Sequence, residues 1–250
     1  MSDAGAVLFA RYAYPPNELG YCGPDGAAAL LRADAPAEIA RRARQFDGAW
    51  SYLEVIAEAA GVADPLDASV VEAYWIGNDL LDTVDPGALV DRLRDRFAGQ
   101  PGGTWRTAGD RALAHHSFQV FEVYPWAGLL SGGGNPTAVW VLDRCRIRTG
   151  TVLAVDAGGA ATVRSRPLVW DGAGLAPGPA RDEEVRWSTR GRSLLAGLAP
   201  GDRVALHWDW VCDVITEQQC ASLTSLEGRQ HLAVSADARV APAGGPRSPG

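Results

Sequence analysis

The segment Leu198-Ala-Pro-Gly-Asp-Arg-Val-Ala-Leu-His-Trp-Asp-Trp-Val-Cys-Asp-Val-Ile-Thr-Glu-Gln-Gln-Cys220 leaves the backbone few choices. Pro200 fixes φ and Gly201 relieves it, so with Asp202 they mark a turn. Val204 and Leu206 then alternate with Arg203, Ala205 and His207, the period of a half-buried strand that ends on a histidine. Val211, Val214 and Ile215 continue as a second strand. Thr216 with Gln219 three residues on is a capping box, so a helix starts there. The order is turn, strand, strand, helix. A histidine at the end of a small strand, near a helix start, stands out in a chain with only 4 histidines.

The preceding sequence divides into a helical and a β portion. Pro24 to Leu31 reads as a possible helix. Ala35-Pro36 opens a stronger one, with Ile39, Ala43 and Phe46 at three-to-four spacing and Arg41, Arg42 and Arg44 opposite. Ser51 to Ala60 forms another, closed by Gly61 as a C-cap. Asp67 to Leu81 forms a third, and Asp85-Pro86 begins a fourth with Leu89, Val90, Leu93 and Phe97 inward. Gln100 to Gly109 reads as a loop. His116 to Tyr124 is nearly all apolar, and its periodicity fits a buried strand or a short helix. Strands are expected at Val139–Cys145, Gly150–Asp156, Ala161–Leu168 and Val204–Val211, with Ala157-Gly-Gly-Ala160 as a hairpin signal.

These readings predict an α+β chain. They place a helical domain at 1–130, a Gly-rich linker at 131–137, a small β-barrel with a short C-terminal helix at 138–232, and a disordered tail at 233–250. A net charge of −7 argues against a nucleic-acid partner, which needs a basic face. No apolar run is long enough for a membrane span or signal peptide. The 4 cysteines are irregularly spaced and read as reduced thiols of a cytoplasmic protein.

Two thiols invite chemistry. Cys145 is flanked by Arg144, Arg146 and Arg148, cations that favour a thiolate able to bind a soft metal. His207 ends its strand, and Asp209, alternating with it, either orients the imidazole or faces solvent. Against this stands the ordinary reading of a core cysteine and a strand histidine bonded to a backbone carbonyl. Cys22 lies in Tyr12-Ala-Tyr-Pro-Pro-Asn-Glu-Leu-Gly-Tyr-Cys-Gly-Pro24, a rigid aromatic segment read as non-helical and as part of a binding surface. Tyr14, Tyr21, Cys22, Trp208 and Trp210 are the candidate partner-binding residues. His115-His116-Ser117 looks ligand-like, but adjacent side chains on a strand point apart. Cys212 and Cys220 read as packing.

The stretch Cys145-Arg-Ile-Arg-Thr-Gly-Thr-Val152, together with Gly201-Asp-Arg-Val-Ala-Leu-His207 and Ile215-Thr-Glu-Gln-Gln-Cys220, resembles the HypC/HybG/HupF chaperones of [NiFe]-hydrogenase maturation. Thr149 stands where that family has proline, and Cys145 lies far inside the chain rather than next to the initiator methionine. The Arg11–Pro24 opening resembles an uncharacterised actinobacterial family. The first resemblance implies an OB-like barrel in a protein that is not an enzyme. It implies that Cys145, backed by His207, carries or hands over the iron fragment Fe(CN)2(CO). The implied partners are a HypD-like maturation protein and the hydrogenase large subunit. Two other expectations are a metal-free adaptor that recognises a protein, and a Cys/His enzyme using Cys22 and His116.

Overall fold

The computed structural model describes residues 3–99, 103–130 and 134–240. Five helices come first: α1 (Asp3–Glu18), α2 (Pro36–Ala43), α3 (Asp47–Ala60), α4 (Ala68–Trp75) and α5 (Pro86–Arg96). Gly61 ends α3 with φ +67°, the left-handed cap that the sequence predicts. The helix expected over 67–81 instead stops at Trp75. Gly77 adopts φ +93°, and Asn78 caps a separate 3-10 turn at Asp79–Thr83. Residues 27–31 form only a 3-10 turn.

The segment from Tyr12 was expected to be non-helical, yet α1 runs on to Glu18 with Pro15 and Pro16 inside it. Both prolines lie in the final turn, where each removes one N–H and no further helix follows to be broken. Gly5 lets α1 approach the Leu66 carbonyl, which a Cβ would meet at 1.8 Å.

The ambiguous stretch at 116 is helical: α6 (His116–Phe118) continues into a π-turn at Gln119–Val123. The strand predicted at 139–145 is also helix, α7 (Pro136–Cys145). Its β-branched residues are outweighed by local start signals. The Asn135 side chain accepts from the N–H groups of Thr137 and Ala138, and Pro136 occupies the first turn.

Seven strands follow: β1 (Arg148–Val155), β2 (Ala160–Ser165), β3 (Leu168–Trp170), β4 (Leu175–Pro177), β5 (Arg181–Arg186), β6 (Arg203–His207) and β7 (Trp210–Val214). Antiparallel ladders join β1 to β2 and β6, β2 to β5, and β6 to β7. A single parallel pair, Arg186 with Trp210, brings β5 to β7 and closes the ring. β3 and β4 form a separate ribbon. Val152, Val163, Val185, Val204, Leu206 and Val211 fill the ring's interior.

β6 was read as half-buried, but Val204 to His207 are buried on both faces. Val204 and Leu206 point into the ring, while Ala205 packs in the opposite direction with the helices. By the two-residue period of a strand, His207 shares the face of Ala205 and looks toward the helical layer.

The closing helix α8 (Glu217–Val240) begins with the predicted capping box. It runs far beyond the short helix expected and covers the start of the tail placed at 233. Residues 241–250 of that tail and 131–133 of the linker lie outside the described residues. The linker separates elements that share one core, since Phe9, Tyr12 and Trp75 pack in the same cluster as Ala205, Trp210 and Cys212. Arg11 also pairs with Asp213 at 2.6 Å across that junction. Among the described residues, no helix is long and apolar enough to cross a membrane.

Candidate functional site

The meeting of α7 with the β6–β7 turn builds the site. The last carbonyls of a helix lack partners within it. Here the Arg144 carbonyl accepts the Trp208 N–H at 2.8 Å, and the Cys145 carbonyl accepts from His116 Nε2 at 2.9 Å. Those two bonds bring the final residue of α7 to the end of β6 and the start of α6. The Cys145 sulfur and one ring nitrogen each of His116 and His207 lie within 4.8 Å of one another. Cys145 and His207 are therefore brought together as the sequence suggested, and His116 joins them.

The His207 ring is 1% exposed. Its Nδ1 donates to the Tyr12 carbonyl at 2.8 Å, leaving Nε2 as a buried lone pair with no hydrogen-bond partner. The carbonyl is available for a local reason: Pro16, four residues on in α1, has no N–H to give it. The proline pair thus helps to set the histidine tautomer. Asp209, the expected orienting group, instead faces Arg186 at 3.4 Å.

Both rings pack near Trp75, His116 at 4.6 Å and His207 at 5.9 Å between centroids. Burial holds His116 down at a pKa of about 4. Burial, reinforced by the neighbouring His116, pushes His207 well below the usual histidine range. Both are neutral imidazoles at pH 7.

The expected arginine-stabilised thiolate at Cys145 is not what the structure builds. Arg144 and Arg148 both bind Glu183 at 2.9 Å, and Arg146 bridges Asp143 at 3.0 Å and Glu227 at 2.7 Å. Cys145 itself stands at the carbonyl end of α7, where the helix dipole disfavours an anion. Burial raises its pKa, with Cys22 adding to the rise. The resting group is a thiol, whose proton a soft metal ion would have to displace.

These groups line the inner end of a cavity of about 460 Å³. Four of the chain's nine tryptophans, Trp75, Trp126, Trp140 and Trp208, line it as well. Tyr21 and Trp140, 61% and 51% exposed, mark its mouth. Trp208 stacks on Tyr21 at 4.4 Å and meets Trp140 edge-on at 5.8 Å. It does so at φ +56°, a left-handed conformation costing a bulky residue about 1–2 kcal/mol. The Arg148 guanidinium, donating to the Trp208 carbonyl at 2.7 Å, helps to hold it there.

Other sequence candidates fall differently. Cys22 lines the cavity, and burial pushes its pKa up to about 12. Tyr14 is only 2% exposed; it packs on Trp210 at 4.9 Å and donates to Glu18. Trp210 is buried too, so neither presents a surface to a partner. Cys212 is buried in the helical core. Cys22 and His116 line the same cavity, where the two ring nitrogens of His116 contact the Cys145 carbonyl and the Tyr74 hydroxyl.

The sequence reading did not anticipate Trp75, Trp126 and Trp140 as cavity walls. The signal for His116 was present in the His115-His116 pair. On the helix that forms there, His115 turns aside to accept from the Ser117 N–H and cap it, leaving His116 for the cavity.

No curated protein and no solved structure matches this chain. A family profile described as a family of unknown function, DUF6390, matches residues 1–241, and the chain belongs to that family.

Proposed function

We propose that this protein is an accessory factor of [NiFe]-hydrogenase maturation that takes up an iron fragment bearing cyanide and carbon monoxide. The observation that carries the reading is the placement of the Cys145 sulfur within 4.8 Å of a ring nitrogen of His207, whose Nε2 has no hydrogen-bond partner, on the wall of an aromatic cavity. A thiolate and an imidazole are suited to iron. Carbon monoxide is an apolar ligand for which tryptophan walls offer contact, and cyanide nitrogen accepts hydrogen bonds. Trp208 Nε1 is a buried donor without a partner at that wall. The HypC-like, OB-like character of the five-stranded ring, a cytoplasmic setting, and hand-over to a HypD-like protein or the large subunit all belong to the same proposal.

The test is Cys145→Ala in the native host. Hydrogenase activity should be lost while the variant keeps the wild-type circular dichroism. Infrared cyanide and carbon monoxide stretches, present in the wild-type protein isolated with its partner, should vanish. His207→Ala should lower maturation less severely. A second reading, a metal-free adaptor, draws on the exposed Tyr21 and Trp140 at the cavity mouth. Normal maturation by Cys145→Ala would overturn the carrier role and favour that adaptor.

A further inference from the structure

We propose that His116, Cys145 and His207 together bind one divalent transition-metal ion, with a fourth coordination position open to the aromatic cavity. The inference rests on the reading of this cavity as a metal site. It adds a third protein ligand, His116 from the helical layer, so that the chain holds the ion without a second protein.

Geometry comes first. The three candidate ligand atoms lie within 4.8 Å of one another. Bonds of about 2.0–2.3 Å in a tetrahedral site put ligand atoms roughly 3.3–3.8 Å apart, so the set must close by about 1 Å. The Cys145 side chain is half-buried and borders the cavity, which gives it room to move. His207 is already oriented, its Nδ1–H fixed by the Tyr12 carbonyl and its Nε2 without a partner. That is the usual outer-shell support of a metal-bound imidazole.

His116 supplies an independent argument by proton count. Three contacts form a chain: Nε2 to the Cys145 carbonyl at 2.9 Å, Nδ1 to the Tyr74 hydroxyl at 3.2 Å, and that hydroxyl to the Gly48 carbonyl at 3.0 Å. A buried neutral ring brings one proton and the tyrosine another, so only two of the three can be hydrogen bonds. With a metal on Nε2 the two remaining contacts are both hydrogen bonds, at the cost of the bond to the Cys145 carbonyl. Nδ1–H donates to the Tyr74 hydroxyl, the hydroxyl donates to Gly48, and the Cys145 carbonyl is released by a small ring movement. Tyr74 is thus a positioning residue for the ligand. On binding, the Cys145 thiol gives its proton to solvent and the sulfur bonds the metal as thiolate. One thiolate and two imidazoles suit ions such as Fe(II), Co(II) and Zn(II).

The experiment is a Co(II) titration of the purified full chain, read by its absorption spectrum. One Co(II) per chain is expected, with a thiolate-to-cobalt charge-transfer band and the strong visible bands of a four-coordinate ion. Cys145→Ser should lose the charge-transfer band. His116→Ala and His207→Ala should each weaken binding at least as much as the loss of an outer-shell partner does, about 10–100-fold. Absence of the charge-transfer band in the wild type, or wild-type affinity in His116→Ala, would overturn the three-ligand site. If His116→Ala does not fold, Tyr74→Phe decides: weaker binding by several-fold supports the site, and unchanged binding overturns it. The two proposals fail separately. Co(II) bound through all three residues, with normal maturation by Cys145→Ala, removes the hydrogenase reading alone. Maturation that needs Cys145 and His207, with Co(II) binding indifferent to His116, removes this inference alone.

Discussion

Glu183 absorbs two of the three cations that flank Cys145 in sequence. Burial by itself would raise its pKa, but the hydrogen-bonded Arg148, aided by Ser165 and Arg144, holds the carboxyl down at about 2. Arg148 is 1% exposed and donates to Glu183 through two nitrogens, at 3.1 Å and 2.9 Å. Removing one partner of such a pair strands the other charge in the interior. Glu183→Gln should therefore cost about 3–5 kcal/mol in denaturant unfolding. A loss under about 1 kcal/mol, the worth of an exposed pair, would show that Arg148 finds solvent. The carboxylate's contribution is complete above the unfolded pKa near 4.5 and is lost as pH falls through about 2. Charge adjacent in sequence said little about Cys145, because each guanidinium reaches a carboxylate from a distant strand or helix.

The legible elements are those whose ends are fixed by local chemistry. At α8, the Thr216 hydroxyl accepts from the Gln219 N–H at 3.2 Å, and the Gln219 side chain accepts from the Thr216 N–H at 2.9 Å. Thr216→Ala should cost about 1 kcal/mol in thermal or denaturant melts. No measurable change would mean that tertiary packing alone fixes the start of α8. Gly61 and the Gly201 turn were legible for the same reason. α1 was not, because a proline pair reads as a stop, and the sequence alone does not reveal that both fall in a last turn. α7 was not, because Val139, Trp140 and Val141 favour a strand, and the cap of Asn135 with Pro136 was read as part of a linker. Misplacing α7 also put Cys145 on a strand. The pairing of Cys145 with His207 was an expectation of the family resemblance rather than of spacing, whereas the arrival of His116 depends on how α6 meets the end of α7.

The helical layer and the ring share one core, and the chain's histidines are buried. All four histidines have pKa values lowered by burial, His115 and His231 to about 3 and His116 to about 4, with His207 lower than its usual value as well. Such a group takes up its proton on unfolding first, near 6.5, so stability is full above that pH and declines as pH falls toward the folded value. His231 on α8 packs edge-on against Phe121 at 5.1 Å and lies outside the candidate site. His231→Gln should remove one proton from the linkage. The slope of unfolding free energy against pH near pH 5 should flatten by about 1.4 kcal/mol per pH unit. An unchanged slope would show that this ring titrates normally in the folded state. The glycine run was read as a domain boundary, yet residues on both sides of it share one core, because composition there reports where a chain can bend and is silent on whether the flanking segments pack together.

The ring's connectivity also orders events in time. β1 follows directly after Cys145, yet its second neighbour, β6, is synthesised some sixty residues later. At translation rates of about 5–20 residues per second, that interval is roughly 3–12 s. During it Cys145 and His116 already exist, but His207 and the turn that caps α7 do not. Any ligand that needs His207 therefore cannot be held before β6 is made, and until then a nascent chain offers it only Cys145 and His116.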